Sequence, residues 1–173
     1  MKRCSGLSLV EIMVTVAIIA VLMSLATPAY TEMLRFNRLA TETNDLHRAL
    51  LMARSEAIKR GRRVTVCTTL DGVSCARGVG WHSGWLMFED RNGNAQVEPD
   101  ETVVRSEVRT TNRVSSIGNQ PVRDYVSYLP TGAARLVGGG LQMGTLTVCA
   151  DSSGNELVIN SAGRVRVVRR VPC

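Results

Sequence analysis

Gly6-Leu7-Ser8-Leu9-Val10-Glu11 opens an apolar stretch in which the twenty residues from Ile12 to Thr31 carry no charge. About 20 such residues let a helix cross the roughly 30 Å hydrocarbon core of a bilayer. Lys2 and Arg3 precede it, a positive flank expected to stay cytoplasmic. Glu11 stands at the front edge, where a carboxylate bordering lipid is costly and so implies a task. A secretory signal cut near Ala29, with Thr27 and Ala29 as its small residues, is the competing reading. Glu11 is misplaced for such a signal, and the helical pattern continues well past Pro28. Pro28 lacks an amide proton and is expected to kink or loosen the helix.

Working outward, the pattern changes after Tyr30. Leu39, Thr43, Leu46, Leu50, Ala53 and Ala57 recur at three- and four-residue steps and predict one packed face. Glu42, Asp45, Arg48, Glu56, Lys59 and Arg60 lie mostly off that stripe. Gly61, preceded by two cations, reads as the helix C-cap. The remainder is rich in Val, Thr, Ser and Gly, a composition suited to strands. Strands are expected at 63–67, 84–88, 102–105, 122–129, 146–150, 157–160 and 165–171, the last three as a meander. Gly138-Gly139-Gly140 reads as a loop. The organisation is then a leader over 1–6, an apolar helix half over 7–31, an amphipathic half over 32–60 and a β-rich head over 61–173. A long N-terminal helix packed on an antiparallel sheet is an α+β fold.

The 173 residues carry a net charge of +6. Without Lys2 and Arg3, 19 basic side chains face 15 acidic ones, or +4, which permits an anionic partner without requiring one. With Cys4 lost in the leader, Cys67, Cys75, Cys149 and Cys173 remain. Behind a translocated segment they suggest two disulfides. Three pairings are possible; the local one, Cys67 with Cys75 and Cys149 with Cys173, is preferred because each pair brackets a compact unit.

Enzyme signatures are missing: the sequence has no phosphate-binding Gly-x-x-x-x-Gly-Lys-Ser/Thr, no His-Glu-x-x-His and no Gly-x-Ser-x-Gly. His47 and His82 stand apart from the cysteines, so neither a zinc site nor any cofactor is expected. Asp90, Asn92, Asn94 and Glu101 fall at calcium-loop positions, but Ala95 occupies the place that needs glycine, and a plain hairpin loop is preferred. Trp81 and Trp85 could stack on bases but read better as core anchors.

Taken together, the basic leader, Gly6, Glu11 and the apolar tail resemble the prepilin signature of type IV pilins and pseudopilins. The spacing of Cys75, Trp81, Gly84-Trp85 and Phe88-x-Asp90 is similar to the middle of GspH/FimT-type minor pilins. That resemblance implies the pilin fold and cleavage by a prepilin peptidase between Gly6 and Leu7, with methylation there. The family commonly has Phe where this chain has Leu7. It also implies that Glu11 pairs with the new N-terminal ammonium of an adjacent subunit. The plainer alternative is that Glu11 sits near the positive end of the helix and snorkels to the headgroups.

Ser161 to Arg170 contains four arginines, and no carboxylate side chain follows Glu156. If the chain is extended from Arg164, then Arg164, Arg166 and Arg170 share a face, with Arg164 and Arg166 about 7 Å apart. Guanidinium forks bind phosphate bidentately and remain charged. Gly163 allows a tight turn. Gly163-Arg164-Val165-Arg166 also resembles the Gly-Arg-x-Arg motif of FimT-type minor pilins, for which the family implies DNA binding during natural transformation. The expectation is therefore a minor pilin in the inner membrane, single-pass with a periplasmic head, that joins other pilins in a pilus. Gly163, Arg164, Arg166, Arg169 and Arg170 would meet DNA. The alternative is a structural subunit, either a FimU-like priming pilin or a GspH-type pseudopilin of type II secretion, whose arginines serve subunit contacts or guard an edge strand.

Overall fold

The computed structural model describes residues 9–109 and 114–173, apart from the side chains at 25, 26, 28 and 29. Gly6 and Leu7 lie outside the described residues. Two compact units are present, one ending at Asn37 and the other running from Arg38 to Cys173. Helix α1, Leu9–Arg60, contributes to both. The loosening expected at Pro28 falls on an undescribed side chain; the helix itself continues through that position.

In the first unit every large apolar side chain from Leu9 to Met23 is at least half exposed, Leu9 at 77% and Met23 at 66%. The hydroxyls of Thr15, Ser24 and Thr27 donate back to the carbonyls of Ile12, Val21 and Met23 at 2.7–2.8 Å. These three hydroxyls are thus satisfied within the helix, which lowers the cost of an apolar surrounding. Among the described residues no helix is long and apolar enough to cross a membrane.

In the second unit the predicted stripe is the core face of α1: Leu39, Thr43, Leu46, Leu50, Ala53 and Ala57 are all buried. Gly61, at φ +62°, ends the helix. Among the described residues eight strands follow: β1 Val64–Thr68, β2 Gly84–Glu89, β3 Val103–Val108, β4 Ser115–Gly118, β5 Tyr125–Tyr128, β6 Gly144–Ala150, β7 Ser153–Ile159 and β8 Val165–Pro172. They form two four-stranded antiparallel sheets, ordered β3-β2-β1-β5 and β4-β6-β7-β8, and β6 to β8 make the expected meander. One core joins the helix stripe to Val64 and Val66 of the first sheet and to Leu146, Val148, Leu157 and Ile159 of the second.

The split into two sheets has a local cause. Buried Gln142 takes up the free edge of β5, accepting from the Ser127 amide at 2.9 Å and donating to the Tyr125 carbonyl at 2.9 Å. The 133–135 segment takes the rest of that edge, the Arg135 amide donating to the Ser127 carbonyl at 3.0 Å and Ala134 bridging Tyr128. Trp81 and Trp85 are core residues, 0% and 2% exposed, with Trp81 Nε1 donating to the Val122 carbonyl. The Asp90 loop joins β2 to β3, and its carboxylates are spent on it. Asp90 accepts from the Asn94 and Ala95 amides and the Thr65 hydroxyl, and Glu101 from the Arg91 amide.

Two disulfides close the head, Cys67–Cys75 and Cys149–Cys173. The first seals a loop over a small second cluster of Cys67, Leu86 and Phe88. Within that loop the Ser74 hydroxyl and the Val73 and Ser74 amides hold the Asp71 carboxyl well below the usual carboxylate range. The second disulfide runs from β6 to the end of β8 across Gly154 of β7, where a Cβ would lie 2.6 Å from Cys173 Sγ. Loop closure over 24 residues makes it worth about 3 kcal/mol. Cys149→Ser with Cys173→Ser is expected to lower stability by that amount in thermal melts, and an unchanged melting temperature would contradict it.

Candidate functional site

The arginine-bearing segment begins at the β7–β8 hairpin tip. Asn160 closes the tip: its carbonyl accepts from the Gly163 amide at 2.9 Å and its Oδ1 from the Arg164 amide at 3.0 Å. Gly163 has φ +76°, and a Cβ there would overlap the carbonyl oxygen of Gly132. Glycine is required at this position both by conformation and by space. The tip is therefore packed flat against the Leu129–Ala133 turn, with the Tyr128 ring beneath it.

Arg54, on α1, fastens both turns. Its Nε donates to the Gly132 carbonyl at 2.9 Å and its Nη2 to the Ala162 carbonyl at 3.2 Å. Arg135 adds a bond to the Ser161 carbonyl at 3.2 Å. Sequence reasoning missed Arg54, although one signal was available. Its neighbours at four-residue spacing are Leu50 and Ile58 rather than a carboxylate, as befits an arginine at the rim of a packed face.

Beyond the tip, Arg164, Arg166, Arg169 and Arg170 are exposed on or beside β8, an edge strand. Among the described residues none of the four has an ion-pair partner, whereas Arg60, Arg62, Arg91 and Arg109 are all paired. The four do not share one surface. Arg166 lies opposite Val158 on the outer face, whereas Arg169 lies opposite Asn155, on the face that carries Val165 and Val167 to the core. The ladder then slips at Gly154/Asn155, and Arg170 takes φ +61°. This bulge corrects the expectation that Arg170 shares a face with Arg164 and Arg166, because the extra residue breaks the two-residue alternation. Arg164 and Arg166 form the first part of the site, and Arg169 and Arg170 splay beyond it.

A second polar cluster lies between α1 and β3. Arg109 pairs with Glu42, with Asp45 at 3.3 Å and with Glu107 at 2.8 Å, and the Ser116 hydroxyl donates to Glu42 at 3.0 Å. Glu42, though off the stripe, is 8% exposed and so belongs to the interior. Burial pushes the Glu107 carboxyl up, helped by the Asp45 charge, and pushes the Arg109 guanidinium down. This cluster holds the fold together; it does not reach β8. Glu11 stands in the first turn of α1 with an exposed side chain.

A helix whose first half exposes apolar side chains, followed by a disulfide-closed β head on its second half, defines the pilin-like class, a type IV minor pilin or pseudopilin. The chain belongs to the family described as type II transport protein GspH, which matches residues 42–163. A prokaryotic N-terminal methylation motif matches residues 1–27. The chain is 27% identical over 172 residues to the pilin-like protein PilA1 of Thermus thermophilus, covering 94% of this chain and 97% of the relative. Its fold is similar to the type IV minor pilin FimU of Pseudomonas aeruginosa, with a TM-score of 0.55, 18% identity, and 76% and 89% of the two chains covered. It is also similar to the minor pseudopilin EpsH of the Vibrio cholerae type 2 secretion system, with a TM-score of 0.50, 11% identity, and 76% and 96% covered.

These families are structural, not enzymatic. The methylation motif implies processing by a prepilin peptidase and assembly with other pilins. The family match ends at Gly163, so Arg164 to Arg170 lie beyond it.

Proposed function

We propose that this minor pilin binds DNA through Arg164 and Arg166, with Arg169 and Arg170 adding charge, and serves DNA uptake in natural transformation. The supporting observation is a set of exposed arginines without ion-pair partners on an edge strand whose hairpin tip is bolted to α1 through Arg54. Unpaired guanidiniums held by a rigid tip suit phosphate oxygens. Gly163 shapes the tip and lets the backbone there approach the ligand. The contacts are phosphate-led, with little base preference.

In the same reading the chain is cut between Gly6 and Leu7 and waits in the inner membrane as a single span with its head in the periplasm. The uncharged run from Ile12 to Thr31 and the preceding Lys2 and Arg3 support this. Glu11 then meets the N-terminal ammonium of a neighbouring subunit in the fibre. A purely structural role, without DNA, is the second reading. It is favoured by the likeness to both FimU and EpsH and by the open edge of β8, which a neighbouring subunit can cover.

The two readings separate in one titration. Full-length protein in nonionic detergent is mixed with labelled duplex DNA, and anisotropy is followed over a salt series. Each phosphate contact contributes about 0.9 to the slope of log K against log salt. Arg164→Ala with Arg166→Ala is expected to lower the slope by about 2 and the affinity roughly 10- to 60-fold near ~0.1 M salt. A double variant that keeps the parent's slope and affinity assigns the arginines to subunit contacts instead.

A further inference from the structure

We propose a second phosphate-binding surface, a cleft at the C-terminal end of α1, placed so that one nucleic-acid backbone runs from the β8 arginines into it. The inference rests on the DNA reading above and extends it to residues 62, 63 and 91. The cleft has a volume of about 370 Å³ and is walled by Arg62, Arg63, Arg91, Gly93, Pro130 and Val137.

Its charge is unbalanced. Arg62 at 3.2 Å and Arg91 at 3.4 Å share one carboxylate, Glu89, while the nearby Arg60 is paired chiefly with Glu56. The other carboxylate present, Asp90, accepts from the Thr65 hydroxyl and the Asn94 and Ala95 amides, so the three cleft guanidiniums of Arg62, Arg63 and Arg91 outnumber the two carboxylates by one. Arg62 and Arg91 keep 59% and 47% of their side chains exposed and so remain open to a ligand. Arg63 supplies the sharper sign. Its Nη1 is buried with no hydrogen-bond partner, and its guanidinium lies against Gly93, where a Cβ would stand 3.4 Å away. A buried donor without an acceptor is costly, and an anion entering beside the bare Gly93 backbone would satisfy it.

The location links this cleft to the first site. Pro130 forms one wall, and Gly132, two residues on, is the carbonyl against which Gly163 packs and to which Arg54 donates. Arg164 and the cleft therefore flank one short turn. Guanidiniums on both sides of a turn match a polyanion with repeated charges better than a lone acidic side chain.

The test uses full-length protein in nonionic detergent, the same labelled duplex and the same salt series. Arg62→Gln with Arg91→Gln is expected to lower the salt slope by about 2. Val137→Glu, which places a negative charge on the rim while keeping every arginine contact, is expected to weaken binding severalfold. Val137→Gln should bind like the parent. Should the cleft double variant and Val137→Glu both retain the parent's slope while Arg164→Ala with Arg166→Ala loses it, the cleft proposal is overturned and the β8 reading stands. The reverse pattern would sustain the cleft and remove the β8 reading. Parent-like binding by all of them overturns both.

Discussion

Gly163→Ala is expected to lower the stability of the head by about 2 to 4 kcal/mol, before any effect on ligand binding. Two costs combine. A left-handed backbone conformation is strained for alanine, by about 1 kcal/mol or more. In addition the new methyl would overlap the Gly132 carbonyl oxygen, with Tyr128 Cε1 only 3.1 Å away. Overpacking of this kind costs about 1–3 kcal/mol, and backbone atoms on the other side cannot step aside as a flexible side chain would. The expected reading is a fall of roughly 10 °C in the melting temperature. A variant melting within about 2 °C of the parent would mean that the hairpin tip does not rest on the Gly132 turn. DNA affinity measured well below the melting point should fall less than in the arginine variants, because the buried glycine bears no charge and its part is to position Arg164.

Removing the cation between α1 and β3 is expected to do comparable damage. Arg109→Met leaves Glu42, Asp45 and Glu107 facing one another, with Glu42 almost wholly out of water. Deleting one partner of such a buried pair typically costs about 3–5 kcal/mol, because the stranded charge keeps its desolvation penalty. The loss should depend on pH in a defined direction. Without the guanidinium the Glu107 carboxyl, which burial already pushes above its unfolded value, faces Asp45 and Glu42 with the bridging cation gone. Groups raised in this way favour the folded state below the unfolded pKa and lose that contribution as pH rises through the folded one. Relative to the parent, the variant's deficit should therefore be largest near neutral pH and shrink towards about pH 4. Adding Glu42→Gln should recover part of the loss. A deficit that stays flat across that range would show that the three carboxylates do not share one field.

Much of the fold was legible because hydrophobic period and turn residues carry it. The α1 stripe from Leu39 to Ala57, the C-cap at Gly61 and the three-stranded meander all follow from local pattern. Strand β4 was not legible. Its residues, Ser115-Ser116-Ile117-Gly118, show no useful alternation, and it is held by polar contacts: the Ser116 amide to His82 Nδ1 and the Ser116 hydroxyl to Glu42. Nor could one sequence reveal that a glutamine would cap β5 and divide the sheet. For the site, the arginines stood out as a charge run, but their splay did not, since a bulge depends on pairing and not on composition. Arg54 and the residue 62–63–91 cleft are products of long-range contact, invisible until the 130–132 turn is in place.

Strand β8 is fastened at both extremities: the hairpin tip is tied to α1 by Arg54, and the far end is tied to β6 by the Cys149–Cys173 bond. A pull applied at Arg164 would thus pass to α1 through the Ala162 carbonyl and Arg54, bypassing the ladder between β7 and β8. The ladder would thereby be spared peeling one rung at a time, and a strand so moored can bear a pull that an open-ended one would yield to.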